Sequence, residues 1–524
     1  MAMTWITQML VRNAQQYPQR PALVAGDGTL TYRELVRRVE ATAHELRRRG
    51  VLDGDIVAIA LRRGTRQVVT ALAAMWLRAP FAIVDVDDPA DRRRAQIRAS
   101  RAALLVVEAD AEEADVEQDV PTMRLPALVE SATAGPELGS HADTDAAVYI
   151  VFTSGTTGAP KAVAVPYRAL DNYTRFLGSV LARVRPAGAA LSCASVTSFA
   201  TDLGHTTIFP ALVAGDAVHL VDKPTMMDPI GFGNYLRTHS IDVLKSTPSH
   251  ISVLLDVAAG EVLPRKLMIF GGERLSWHLV DQVKKVGTCA VLNHYGPSET
   301  TIGVLTYPVD PSRTDHRSSA YVPIGKPIDG VSVEVVDEQL RAVRPGETGE
   351  LLVWGECVAL GYLGSRHATS ARFVSLPPEL RPPGVGVPAP TAYRTGDTVR
   401  RLPSGDIEFL GRTDRQIKLH GQRIELGEVE SALRGHPDVR NAVVVHHEDT
   451  GLSAYLVVAD PISPPDSKSL RNFLRKTLPV SAVPRVFTVL ESFPLTLSGK
   501  LDLNRLALAG EVTDSAISAR RVEG

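Results

Sequence analysis

A strand-like run, Tyr149-Ile150-Val151-Phe152, leads directly into Thr153-Ser154-Gly155-Thr156-Thr157-Gly158-Ala159-Pro160-Lys161. Glycines let a backbone reach positive φ, so successive N–H groups can converge on one point. The hydroxyls of Thr153, Ser154, Thr156 and Thr157 and the ammonium of Lys161 are donors of the kind phosphate oxygens require. A Walker loop would need GxxxxGK[ST] and a following helix. Here the small apolar residues Ala162-Val163-Ala164-Val165 follow and read as a second strand. A Ser/Thr/Gly hairpin turn is the plain alternative. The density of donors ahead of a lysine favours a phosphate cradle.

Four further islands have the composition of a nucleotide site. In Asn293-His294-Tyr295-Gly296-Pro297-Ser298-Glu299, an amide can read a base edge, a ring can stack, and Glu299 offers oxygen to a divalent cation on phosphates. Tyr393-Arg394-Thr395-Gly396-Asp397 places one carboxylate on a tight turn, where it could hold ribose hydroxyls. Gly411-Arg412-Thr413-Asp414 opens a third island that runs on to Glu425, and Leu497-Ser498-Gly499-Lys500 raises a lysine on a flexible loop. Each alone could be only a turn; their order along one chain is what carries weight.

The elements that must position these islands follow from periodicity and punctuation. Apolar residues at helical spacing from Ile6 end before Pro18, and Thr31 with Glu34 forms a capping box for a second helix. Strands are expected over Asp55 to Ala60 and Ala79 to Val86, with helices between, so the front half alternates β and α and favours parallel sheets. The arginines at 92, 93, 94, 98 and 101 read as a solvated helix face, with a docking role as the alternative. Glu108 to Asp145 reads as an acidic, irregular surface excursion, and the proline-rich stretch Pro377 to Pro390 as a loop. A boundary is expected near residues 411–414. Beyond it, short strands at Gln416 to Leu419, Ala442 to Val445 and Ala454 to Val458 alternate with helices, enough for a small domain.

The bulk numbers set limits. At 524 residues the chain is long for one core. With 22% charged residues and a net charge of −2, nothing calls for nucleic acid or a membrane as partner. Three cysteines without CxxC spacing suit a reducing compartment and provide no zinc site. The first residues lack a basic segment followed by an apolar core, so a cytoplasmic location is expected.

Read together, these motifs resemble the adenylate-forming superfamily of acyl-CoA synthetases, luciferases and nonribosomal-peptide adenylation domains, and most closely the last group. The match runs from LTYREL near residue 30, through GELLVWGECVALGYL (residues 349–363), to SGKLD near residue 500. The resemblance implies an α/β fold: a large N-terminal domain of packed mixed sheets and helices (residues 1–411), a hinge (412–415, pivoting at Asp414) and a small α+β C-terminal domain (416–524). It implies ATP and Mg2+ as cofactors. Thr153 to Gly158 and Lys161 would close on the β- and γ-phosphates. Asn293, Tyr295, Gly296, Ser298, Gly272 and Glu273 would surround the nucleotide, Glu299 would hold the metal, Asp397 the ribose, and Arg412 nearby ribose or phosphate groups. Lys500, with Glu299 and Lys161, would be catalytic. Lys500 would bridge the substrate carboxylate and the α-phosphate, then leave as the hinge swings the segment around Gly421 toward a thiol. The chain departs from the family's usual residues at Arg78, where glycine is usual, at Ala162 (glycine), at Ser298 (threonine) and at Leu360 (arginine).

The resemblance also implies a substrate pocket. The segment SFATDLGHTTIFPAL fixes Asp202, seven residues before Phe209, as partner of a substrate α-ammonium; a turn aspartate is the alternative. A simple acyl-CoA ligase has no ammonium to neutralise. The matching positions are Leu203, Thr206, Lys245, Ile269, Gly271, His294, Ile302 and Gly303, and the set resembles the family's aspartate-selecting signature. A lysine and a histidine in an otherwise apolar pocket imply a side-chain carboxylate, because uncompensated buried charge costs several kcal/mol. Lys245 snorkelling to the surface from a strand end, and His294 as a merely packed ring, are the competing readings.

The expected function is therefore activation of L-aspartate, or a β-substituted aspartate, as aminoacyl-AMP, then transfer to the phosphopantetheine thiol of a separate carrier protein. No carrier segment or GxSxG elbow is visible, which is the basis for placing the carrier on another chain. The runner-up is a ligase using free CoA. A non-catalytic nucleotide-binding protein would be expected to lack Lys500 or Glu299, and both are present.

Overall fold

The computed structural model describes residues 4–111, 119–125, 143–153, 160–310, 319–381, 390–412, 416–419, 422–447, 451–460, 463–490, 492–493 and 506. By contacts the chain divides into two compact units. One is made of residues 1–86, 96–153 and 162–413, and the other of residues 87–95, 154–161 and 414–524.

The first unit is built on three sheets. A seven-stranded sheet runs in the order Gly361–Tyr362, Lys161–Pro166, Ala147–Thr153, Phe81–Ile83, Val57–Ala60, Leu104–Glu108, Thr122–Leu125. Its centre is parallel and buried on both faces, as the near-continuous apolar runs require. A nine-stranded sheet runs Lys326–Pro327, Leu305–Pro308, Ala290–Tyr295, Leu267–Gly271, Val243–Ser246, Ser192–Ser195, Ala217–Leu220, Pro21–Ala25, Gly28–Thr31, again with a parallel centre. One apolar core joins these two sheets through the helices Thr65–Trp76, Tyr167–Val184 and Ile208–Ala214. The helix Tyr167–Val184 shows why: Leu170, Tyr173, Thr174, Leu177 and Leu181 repeat at three- and four-residue spacing and are buried. The third sheet is antiparallel: Val331–Val336, Thr348–Gly355, Thr391–Arg401 and Phe373–Ser375, with Ile407–Arg412 paired to Thr391–Arg401.

In the second unit the helices Leu426–Arg434 and Ser467–Leu474 pack on the three-stranded sheet Val439–His447, Gly451–Val458, Val486–Val489, around Val429, Leu433, Val444, Leu456 and Leu474.

Local expectations can be checked element by element. The first helix is Trp5–Gln16, and Thr31 and Glu34 form both halves of a capping box at Tyr32–Arg48. Arg78 adopts φ of 60°, the left-handed region that β-carbon crowding disfavours, which explains why glycine would be at home there. Two expectations are corrected. The stretch after Glu108 is not wholly irregular, because Thr122–Leu125 extends the sheet in parallel beside Leu104–Glu108. The arginine run is not simply solvated: Arg92 is 14% exposed and pairs with Asp88 one turn earlier, while Arg93 donates to the Asp88 carbonyl. Residues 382–389 of the proline-rich stretch lie outside the described residues. No helix among the described residues is long and apolar enough to cross a membrane.

Candidate functional site

Adjacent parallel strands bring the pocket positions into register. Lys245 pairs with Ile269, and Gly271 with His294, toward the C-terminal ends of their strands, where open parallel sheets usually bind ligands. Alternation along Ala290–Tyr295 then sorts the side chains. His294 points to one face and meets Lys245, with Nζ 2.9 Å from Nδ1. Asn293 and Tyr295 point to the other: Asn293 donates to the Pro323 carbonyl at 2.9 Å, and Tyr295 donates to Asp397. One strand thus separates a basic pocket from the residues expected to hold adenine and ribose.

Lys245 is 1% exposed, so it does not snorkel to solvent. Two glycines give the basic pair its room. A Cβ on Gly271 would stand 2.4 Å from Lys245 Nζ, and one on Gly303 would stand 1.8 Å from His294 Nε2. The His294 ring also meets Tyr173, whose hydroxyl lies 3.0 Å from Nε2.

Asp202 opens the short helix Asp202–His205 and is 3% exposed. Tyr149, from the strand Ala147–Thr153, donates to its Oδ1 at 2.8 Å. Burial pushes the Asp202 carboxyl up to about 7, against the pull of the Tyr149 hydroxyl; the Ser298 hydroxyl and the Ile302 N–H also favour the charged form, while Glu299 opposes it. Those nearby groups complete no well-formed bond to Oδ2, which has no hydrogen-bond partner among the described residues. Behind Asp202, His205 sits in a cage of Phe81, Tyr149, Phe199 and Phe209, and burial lowers its imidazole to about 4. It is a packed, neutral ring rather than a ligand.

The turn Thr301-Ile302-Gly303 ties the two ends of the pocket together. Thr301 and Ile302 both have φ of 61°, a costly conformation for β-branched residues, about 1–3 kcal/mol each. It is held by Thr301 Oγ1 donating to the Cys357 carbonyl (2.8 Å) and Val304 N donating to the Tyr295 carbonyl (2.8 Å). The strain has a use: Ile302 presents its N–H toward Asp202, and the next residue leaves space for the His294 ring.

On the nucleotide side, Glu299 is fully buried and its Oε1 accepts from the Tyr362 hydroxyl at 2.7 Å. Asp397 accepts from Tyr295 on one oxygen and from Arg412 on the other, and Arg412 also reaches the Thr395 carbonyl at 3.1 Å. Glu273 holds the N–H and hydroxyl of Ser249, both at 2.9 Å, beside Gly272 at φ of 84°. Thr153 is buried at the end of its strand, and Lys161 starts the strand Lys161–Pro166. Ala162 is buried among Ala82, Ile150 and Ala164, where its methyl adds to the packing. Ile269 and Thr206 are buried, Leu203 is half-buried, and the Gly296 backbone lies so close to Gly303 that a Cβ would fall 2.5 Å from its Cα. Ser154, Gly155, Thr156, Thr157, Gly158, Asp414, Gly421 and Lys500 lie outside the described residues.

Three tyrosines were not read as site residues from the sequence: Tyr149, Tyr173 and Tyr362. A signal was present for Tyr173. A hydroxyl-bearing ring within an apolar helix stripe must find a partner for its O–H.

Residues 10–363 match the AMP-binding enzyme family, and residues 428–500 match the AMP-binding enzyme C-terminal domain. The chain belongs to the AMP-binding enzyme family. This AMP-binding enzyme is 32% identical over 96% of its length to surfactin synthase subunit 2 of Bacillus subtilis, of which it spans 14%. It is 33% identical over 95% of its length to phosphinothricin tripeptide synthetase PhsC of Streptomyces viridochromogenes, of which it spans 44%. Among solved structures it resembles an artificially fused adenylation–PCP di-domain from Klebsiella oxytoca (TM-score 0.78, 22% identity, covering 93% of this chain and 87% of that one). It also resembles a four-domain nonribosomal peptide synthetase bound to AMP and glycine (TM-score 0.67, 27% identity, 95% and 36% covered). The fold of this AMP-binding enzyme is therefore the α/β adenylate-forming fold, with a large N-terminal and a small C-terminal domain.

Proposed function

We propose that the chain is an amino-acid adenylation domain that activates L-aspartate, or a β-substituted aspartate, with ATP, and passes the aminoacyl group to the phosphopantetheine thiol of a separate carrier protein. The likeness to peptide synthetases supports amino-acid activation. The observation that carries the substrate is the pocket's polarity: a buried acid, Asp202, and a buried basic pair, Lys245 with His294, on either side of the Ile302-Gly303 turn. An α-ammonium would meet Asp202, and a carboxylate would meet Lys245. The second carboxylate remains for reaction.

In this reading the reacting carboxylate attacks the α-phosphate in line and pyrophosphate leaves. Two anions must be brought together, so the protein's work is positioning and fixed positive charge. Lys161 and Lys500 supply that charge, the loop from Thr153 holds the phosphates, and Asp397 with Arg412 takes the ribose. One buried carboxylate oriented by a tyrosine, Glu299 with Tyr362, fits a Mg2+ ion whose other ligands are phosphate oxygens and water. When bound, that ion supplies neutralisation of phosphate charge.

A pyrophosphate-exchange panel over the amino acids tests the substrate. Strong exchange is expected with aspartate. Glutamate, one methylene too long, is expected to be weaker by a factor of roughly 10–200, and asparagine weaker still. Equal exchange with asparagine would overturn the assignment. Adding either free CoA or a carrier protein to the preformed adenylate separates carrier loading from a CoA ligase.

A further inference from the structure

The basic end of the pocket is a relay rather than two independent cations. Lys245 Nζ stands 2.9 Å from His294 Nδ1, and His294 Nε2 stands 3.0 Å from the Tyr173 hydroxyl. Between a lysine and a histidine sharing one contact, the lysine is the stronger base by about four pKa units. An ammonium can only donate, so Nδ1 must accept, and the proton of a neutral imidazole must sit on Nε2. That N–H then donates to the Tyr173 oxygen. The Tyr173 hydroxyl also neighbours that of Thr206, whose buried oxygen completes no well-formed hydrogen bond among the described residues. The His294 N–H therefore faces away from the ammonium.

We infer that Tyr173 is a positioning residue for substrate selection: by accepting the His294 Nε2 proton it fixes the tautomer that keeps Lys245 charged toward a carboxylate ligand. This rests on the proposed substrate. Tyr173 stands on the buried face of the helix Tyr167–Val184, so its ring is held by packing and its hydroxyl is delivered to one place. Without that oxygen the Nε2 proton loses its Tyr173 acceptor, and moving it to Nδ1 puts an N–H against the ammonium. The first outcome leaves a buried donor unsatisfied, and the second takes the Nδ1 acceptor away from Lys245. The selectivity for a carboxylate over an amide should suffer more than the fold does.

The test compares Tyr173→Phe with Tyr173→Leu in the full chain. Tyr173→Phe keeps the ring and removes only the oxygen. It should lower the ratio of kcat/KM for aspartate over asparagine roughly tenfold, mainly through KM for aspartate, in line with an unsatisfied buried donor. Tyr173→Leu should lower the ratio at least as far. In ligand-free protein labelled with 15N-histidine, the His294 signal, assigned by its loss in His294→Asn, should report the Nε2–H tautomer in the wild type and a different proton distribution in Tyr173→Phe. A Tyr173→Phe variant with wild-type selectivity and an unchanged His294 signal would overturn the inference, as would a loss confined to Tyr173→Leu, which would assign Tyr173 to packing alone. If the wild type shows no preference for aspartate, the proposed substrate fails, and the tautomer measurement alone then decides the role of Tyr173.

Discussion

The two ends of the pocket solve the problem of buried charge in opposite ways. At the basic end, Lys245 and His294 come from the two parallel strands that flank Leu267–Gly271 in fixed register, and His294 is bonded on both ring nitrogens. In the tautomer inferred above, the arrangement carries one positive charge on two basic groups, with their mutual contact already formed in the ligand-free chain. At the acid end, Asp202 sits on a four-residue helix, clamped by Tyr149 on one oxygen and left without a bond on the other. Its carboxyl is pushed up to about 7 by burial, so burial works against its ionisation while the second oxygen lacks a partner. A regular sheet can preorganise a relay; a turn can leave an acid waiting for the cation that will complete it.

If that contrast is right, Asp202→Asn does the larger damage. The amide keeps the size of the side chain and can still accept from Tyr149, while the charge opposite the substrate ammonium is gone. Removing one partner of a buried charge pair costs about 2–5 kcal/mol, so kcat/KM for aspartate should fall by roughly 30-fold to 5,000-fold. Steady-state exchange kinetics would measure it, and a fall below tenfold would sink the acid end as the ammonium site. Lys245→Met should come second, at roughly 10–10² for aspartate, because the thioether fills a similar volume while Tyr173 still holds the imidazole. The informative readout is the ratio: asparagine should gain on aspartate in Lys245→Met and not in Asp202→Asn. Matching changes in both variants would mean that the two ends do not divide the substrate as described.

What could be read before the fold was seen follows the same division. The capping box at Thr31 and Glu34 and the strand before Thr153 are local, and the sequence alone was enough to place them. The match to the family also named Asp202, Lys245 and His294, because their positions are fixed by spacing from recognisable segments. The strand Thr122–Leu125 was missed because it lies in an acidic stretch and owes its pairing to the buried strand Leu104–Glu108. The mutual bonding of Lys245 and His294 was invisible for a different reason: register between strands far apart in sequence decides whether two basic groups act as two charges or one. The supports Tyr149, Tyr173 and Tyr362 reach their partners across 53, 121 and 63 residues, so no local pattern announces those contacts.

The smallest expected effect is also the one whose sign separates the ends. Asp202 has a native pKa of about 7, above the unfolded carboxylate value of about 3.9. Between those values the native state holds a proton that the unfolded state has released, so the contribution of Asp202 to stability is fully present at low pH and is lost as pH rises toward 7. Ligand binding runs the other way, because the substrate ammonium needs the ionised acid. KM for aspartate should therefore fall as pH rises through about 7 and then level off, a change of up to roughly tenfold per pH unit below the midpoint. Thermal unfolding of the ligand-free chain should show wild type losing ground to Asp202→Asn over the same range. Tyr149→Phe, which removes a bond favouring the ionised form, should move the KM midpoint upward. A KM that is flat across this range in wild type, or a midpoint unmoved in Tyr149→Phe, would mean that the acid is ionised by some group other than its tyrosine clamp, and the two ends would then be alike.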